Sequence, residues 1–93
     1  MRIFISGKMS DEPNYNREKF HQAQKMLQEQ GHAVMNPAIL PDGFDYEDYM
    51  RICDVMLKCC DAIYCLKGWN NSTGATYERQ EALTLNMTIM EEV

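Results

Sequence analysis

The chain has 93 residues, 45% of them hydrophobic and 25% charged, a balance that fits one small soluble domain over residues 1–93 and leaves no room for a second core. No apolar run reaches the length of a membrane span, and the first residues enter a strand pattern rather than a signal peptide, so the expected location is cytoplasmic. Fourteen Asp and Glu against nine Lys and Arg leave a formal charge of -5 spread along the chain, which argues against a nucleic-acid polymer as partner but still allows a small anion at a helix N-terminus.

Arg2 to Ser6 reads as the first strand, because Ile3, Phe4 and Ile5 form the unbroken apolar run of a strand buried on both faces. Gly7 then lets the chain turn and approach a ligand closely. Lys8 to Asn16 is a polar loop with Pro13 and candidate N-caps at Asn14 and Asn16, and Lys8 is a point charge suited to a phosphate. Arg17 to Gln30 is the first predicted helix, with Phe20, Ala23 and Leu27 on its buried stripe, His21 on its surface and Gly31 as its stop. His32 to Met35 is the second strand, ended by Asn36-Pro37. The connection from Asn36 to Phe44 contains Pro37, Pro41 and Gly43, with Asp42 suited to a turn and Asp45 to an N-cap.

The second helix spans about Tyr46 to Cys60, with Tyr49, Cys53, Met56 and Cys60 as its inner stripe. Asp54 sits one position off that stripe, where it reads as an exposed charge or as a partner of Lys58 one turn on. Asp61 marks the junction to a third strand, Ala62 to Leu66. A turn from Gly68 to Gly74, a third helix from about Ala75 to Leu85 and a last strand from Met87 to Met90 complete the chain. Helices separate successive strands throughout, so the expected class is α/β: a three-layer, doubly wound, flavodoxin-like parallel sheet of about four strands with three helices. Cys53, Cys59, Cys60 and Cys65 show neither a C-x-x-C pair nor a zinc-ligand spacing, so buried free thiols are expected, with no metal and no cofactor.

In a parallel sheet the carboxyl ends of the strands share one edge, which brings together Ser6-Gly7, Asn36-Pro37 and the turn from Trp69 to Gly74. Glu78 would approach that edge from the third helix, on the face of Ala75, Ala82 and Leu85. A carboxylate among apolar neighbours is costly unless something pairs with it or uses it. A capping-box role fails, because Ala75 stands where Ser or Thr is needed. A structural ion pair with Arg2, Arg17 or Arg51 stays open. Ser72 reads either as an anion contact or as an N-cap, and Trp69 as a base-stacking surface, a loop anchor or an oligomer contact.

The arrangement GW-x-x-S-x-G-A-x-x-E-x-x-x-A from Gly68 to Ala82 resembles the DUF4406 group of the nucleoside 2-deoxyribosyltransferase-like superfamily. Ile3 to Gly7, Gly31 to Pro37 and Asp48 to Arg51 fit the same pattern in the same order, so the resemblance runs nearly the whole chain. It implies a nucleoside or nucleotide as substrate, Glu78 as the acid that stabilises or attacks the anomeric carbon, and Asp54 as the acid that contacts the sugar and assists the leaving base. It also implies that Ser72 meets a 5'-phosphate, while the shared strand edge and the charge of Lys8 make Ser6, Gly7, Lys8, Asn36, Trp69 and Gly74 the expected lining of the substrate. Relatives pair so that one subunit helps close another's site, which implies a homodimer or higher homo-oligomer. Two positions depart from the pattern: Lys8 stands where relatives carry proline, and Phe4 where several carry tyrosine. A chain ending at Val93 lacks the longer C-terminal segment of the transferases, so hydrolysis is expected over transfer. The alternative is a module that binds a nucleotide or phosphosugar without turning it over.

Overall fold

A computed structural model describes residues 1–93. Its central strand is β1 (Arg2–Ser6), where Ile3, Phe4 and Ile5 are fully buried because both faces of the sheet are covered. β1 pairs in parallel with β2 (Ala33–Met35) on one side and with β3 (Ala62–Cys65) on the other. β3 in turn carries β4 (Thr88–Glu91), which gives the order β2-β1-β3-β4. In this register Phe4 lies beside Ile63 and Ser6 beside Cys65.

The faces alternate along β1. Ile3 and Ile5 pack with Tyr64 and Leu66 against Phe20, Ala23 and Leu27 of helix α1 (Arg17–Glu29). Phe4 packs on the opposite face with Ile63 and Cys65, against Cys53 and Leu57 of α2 (Tyr46–Lys58) and Ala82 of α3 (Thr73–Thr84). The result is a three-layer α/β sandwich of four parallel strands and three helices, flavodoxin-like in its strand order. No helix is long and apolar enough to cross a membrane.

Several boundaries differ from the sequence expectation for local reasons. α3 begins two residues early because the Ser72 hydroxyl accepts the backbone N–H of Ala75 at 3.1 Å and so caps it. Asn86 takes a left-handed backbone after α3, which delays β4 to Thr88. Leu85, expected on the buried face, lies past the last turn and is 44% exposed. In α2 the inner face is centred on Cys53 and Leu57, with Met56 and Cys60 at its flank, one position round from the predicted stripe. Asp45 and Asp48 start that helix with a reciprocal capping box. All four cysteines are free; Cys53 and Cys65 are buried, whereas Cys59 at the end of α2 is exposed.

Strand β1 connects to β2 in one direction, and β2 then crosses back to β3, so the order reverses between β1 and β3. Crevices that take ligands form at the carboxyl side of such a reversal. Gly7 leaves β1 at this point. A Cβ there would lie 2.9 Å from Cβ of Leu66, a residue whose own N–H donates to the Ser6 carbonyl at 2.8 Å and cannot move aside. Gly7→Ala is therefore expected to lower the free energy of unfolding in urea by about 1–3 kcal/mol, while Glu47→Ala on the exposed side of α2 stays within about 0.5 kcal/mol of wild type.

Candidate active site

A cavity of about 730 Å³ opens at this crevice, within the range of roughly 300–1,000 Å³ that small-molecule sites occupy. Its walls come from four places. β1 and the residues after it supply Ser6, Gly7 and Lys8, and the connection after β2 supplies Pro37, Leu40, Asp42 and Phe44. The first turns of α2 supply Tyr46, Tyr49, Met50 and Cys53, and the start of α3 supplies Ser72 to Ala75 and Glu78.

Glu78 reaches the cavity because α3 lies against the sheet on small residues. Ala75 and Ala82 are buried on either side of it, and Glu78 itself is only 7% exposed. The Ser6 hydroxyl donates to Glu78 Oε1 at 2.6 Å, which ties the helix to the end of β1. No cation reaches this carboxylate. Arg2 is bonded to Asp61, Arg17 to Asp42 and Arg51 to Asp48, so the ion pair left open on sequence grounds does not form. Burial pushes the Glu78 carboxyl up to about 7. The Ser6 hydrogen bond opposes that rise, the charge of Asp54 adds to it, and the nearby Cys53 thiol opposes it weakly. Such a group exchanges its proton near neutral pH, as a working acid or base requires.

The predicted site residues divide. Ser6, Gly7, Lys8, Ser72, Gly74 and Glu78 line the cavity together. Asp54 does not; it lines a shallower groove next to it with Tyr46, Met50, Arg51, Thr73 and Tyr77. Lys58 donates to Asp54 Oδ2 at 2.8 Å, the pairing expected one helical turn apart, while Oδ1 is buried without a partner. Asn36 also lies outside the cavity. Its Oδ1 accepts the N–H of Ala38 and its Nδ2 donates to Gln24 Oε1, so it pins the start of the connection, and Pro37 reaches the cavity in its place. Trp69 is held on the far side of α3. Its indole N–H points to Glu91 Oε1, its ring lies under the Arg79 guanidinium at 4.7 Å, and Arg79 in turn bonds Glu91.

Other lining residues were not singled out from the sequence. Arg17 stands at the rim, bonded to Asp42 and stacked on Tyr15, whereas Lys8, the predicted phosphate contact, lines the cavity without a carboxylate partner. Phe44, Tyr46 and Tyr49 give one wall an aromatic character. Tyr49 accepts the N–H of Phe44 and donates to the carbonyl of Pro41, which fixes the connection over the cavity. The density of aromatic residues from Phe44 to Tyr49, directly after a Pro- and Gly-containing connection, was the signal available. No group of three His, Cys, Asp or Glu residues is placed to hold a metal ion.

Fold and site together define a class: an open parallel α/β domain whose strand-order reversal carries a small-molecule cavity floored by one buried acid. The chain belongs to the DUF4406 family, whose model, described as a domain of unknown function, matches residues 1–91. A search of curated proteins finds no match.

Burial of Glu78 also makes stability depend on pH. Below about 4.5 the carboxyl is protonated in both the folded and unfolded chain; above that the unfolded chain ionises first, and beyond about 7 the folded chain must hold the buried charge. Its folded value is raised, so Glu78 costs stability progressively as pH rises between those values. Relative to wild type, Glu78→Gln should be close to neutral at the acid end and about 3 kcal/mol more stable once both forms are past the window. Paired urea titrations across that range check the difference, in which the other carboxylates cancel.

Proposed function

We propose that this protein is a member of the nucleoside 2-deoxyribosyltransferase-like superfamily that cleaves the N-glycosidic bond of a nucleoside or nucleotide in the cytoplasm, with Glu78 as nucleophile. The observation that carries this reading is a carboxylate buried to 7% exposure, without a cation, bonded to Ser6 and open to a cavity of nucleotide size. Breaking a glycosidic bond builds positive charge on the sugar, and an unpaired carboxylate at the anomeric carbon answers that charge.

In the ionised form, a Glu78 oxygen attacks the anomeric carbon, the C–N bond breaks, and the base leaves with the bonding electrons and takes up a proton. Water then attacks the same carbon of the glycosyl-enzyme, loses a proton and releases the sugar and the free carboxylate. A second base in place of water would make the same site a transferase. Lys8 and the start of α3 at Ser72 and Gly74 favour a phosphate-bearing substrate, since both offer positive charge or N–H donors to one anion. The aromatic wall from Phe44 to Tyr49 suits the flat face of a base. A homodimer or higher homo-oligomer belongs to the same reading.

The second reading is a module that binds a nucleotide or phosphosugar without turnover. One observation favours it: Asp54 is engaged by Lys58 outside the cavity, which leaves the departing base without an acid from α2. Incubation with a panel of deoxynucleoside monophosphates separates the two. An enzyme releases free base, with a rate that rises with pH to a plateau above about 7 as Glu78 ionises, and loses at least about a hundredfold in Glu78→Gln. Saturable binding in calorimetry with no base released, or equal release by Glu78→Gln, rejects the nucleophile.

A further inference from the structure

We infer that Arg17 is an oxyanion-binding residue of this cavity and that Asp42 holds its place in the free protein: a phosphate group on the ligand takes the guanidinium from the Asp42 carboxylate and is gripped by Arg17 and Lys8 together. The inference rests on the nucleotide reading above for the identity of the ligand, and adds a residue and an exchange which that reading does not contain. Arg17 and Lys8 both line the cavity, and they stand at the two ends of one loop. Asn16 Nδ2 donates to the Lys8 carbonyl at 3.0 Å, which closes that loop and draws the start of α1 up to the end of β1. Lys8 has no carboxylate partner, whereas Arg17 is already bonded to one, Asp42, that lines the same cavity.

The guanidinium is set for this exchange before a ligand arrives. One face lies over the Tyr15 ring at 5.0 Å, and Nη1 donates to Asn14 Oδ1 at 3.3 Å. Asn14, Tyr15 and Asn16 all take left-handed backbone, with φ of 50°, 53° and 61°. L residues rarely adopt that conformation, least of all as a run that includes an aromatic, and what the run secures here is the approach of Asn14 and Tyr15 to Arg17. Nη2 goes to Asp42, whose side chain is 67% exposed against 22% for Arg17. A pair with so exposed an acid is weak, because water already competes for the carboxylate. A phosphate brings more charge and three acceptor oxygens to the same fork, with Lys8 as a second cation, so the exchange runs toward the ligand. A nucleoside carries no such group and leaves the Arg17–Asp42 bond in place. Tyr49 keeps its hold on Pro41 and Phe44 throughout, so the exchange frees only the tip of the connection at Asp42 and Gly43.

The test follows the Arg17 side chain and the affinity separately. In nitrogen-labelled protein the Arg17 Nε–H resonance, identified by its loss in Arg17→Lys, is titrated with inorganic phosphate, deoxyadenosine 5'-monophosphate and deoxyadenosine. It should move with the two phosphate-bearing probes, stay in place with deoxyadenosine, and respond at lower probe concentration in Asp42→Asn. In calorimetry the affinity for deoxyadenosine 5'-monophosphate should fall about tenfold in Arg17→Gln and rise about threefold in Asp42→Asn, with that rise lost when the two substitutions are combined. An Asp42 that only fixes the connection gives the opposite sign, a loss of affinity in Asp42→Asn. That loss, an Arg17 resonance indifferent to phosphate, an unchanged affinity in Arg17→Gln, or an equal rise with and without Arg17 would overturn the inference. Should Arg17→Gln fail to fold, the wild-type resonance and Asp42→Asn decide. A resonance that follows inorganic phosphate in a protein that neither binds nor cleaves the nucleotide rejects the nucleotide reading and keeps the exchange; nucleotide bound equally well by wild type and Arg17→Gln does the reverse.

Discussion

A carboxylate that loses its water without gaining a cation has to be held by neutral donors, and this requirement organises the carboxyl edge of the sheet. The chain's four arginines are each committed elsewhere: Arg2 to Asp61, Arg17 to Asp42, Arg51 to Asp48 and Arg79 to Glu91. Exposed pairs of this kind add little stability one by one. Their effect on the site is exclusion, because an arginine bonded at the surface is not available to neutralise the buried acid. The cost of that acid falls on the rest of the fold, which meets it with two apolar layers, one on each face of β1.

The wall of the cavity opposite Glu78 is built differently. The connection after β2 buries Pro37 and Ala38 but leaves Ile39, Asp42 and Phe44 exposed. It holds its course through side-chain bonds: Asn36 to Ala38 and Gln24, Tyr49 to Pro41 and Phe44, and Asp42 to Arg17. Phe44 adds an edge-on contact with Tyr49 at 6.3 Å between ring centres. A segment fixed by a few polar contacts at its ends, rather than by core burial, opens at lower free energy than the sheet beneath it. The site thus pairs a rigid floor carrying the acid with a wall that can yield to a ligand.

How much of this could be read from the sequence follows from the range of the interactions involved. The order of strands and helices was legible, because Ile3-Phe4-Ile5 and Ala62 to Leu66 are unmistakable buried runs and the helices between them carry local periodicity. The inward aim of Glu78 was legible for the same reason, from the alanines at 75 and 82. Pattern alone reads Asp54 as a partner of Lys58 and keeps a loop anchor among the readings of Trp69, and both are found; it is their expected place in the site that the cavity lining does not repeat. Asp54 stays out of the cavity because α2 turns Cys53 and Leu57 to the sheet, which leaves the next residue round the helix to meet Lys58. Trp69 is drawn away by Glu91, a residue twenty-two positions later whose proximity exists only once β4 has joined the sheet. Arg17, Tyr46, Tyr49 and Cys53 join the site through tertiary placement in the same way.

The position of the cavity floor follows from a coincidence of repeats. On the face covered by α2 and α3, one level of the core holds Phe4 on β1, Leu57 on α2 and Ala82 on α3. One step further toward the carboxyl edge each element carries a polar group: Ser6 two residues on along the strand, Cys53 and Glu78 four residues back along helices that run the other way. Two residues of strand and four of helix both advance about 6 to 7 Å. The three transitions from core to site therefore fall at one level, which is why a hydroxyl, a thiol and a carboxylate from elements far apart in the chain meet there. A shift of one helix by a single residue would set an apolar side chain at that level or strand the carboxylate inside the hydrocarbon, where no donor waits for it. Register between helix and strand is thus what brings Ser6 to the Glu78 carboxylate, and the packing of Leu57 and Ala82 against the Phe4 face of the sheet is what enforces it.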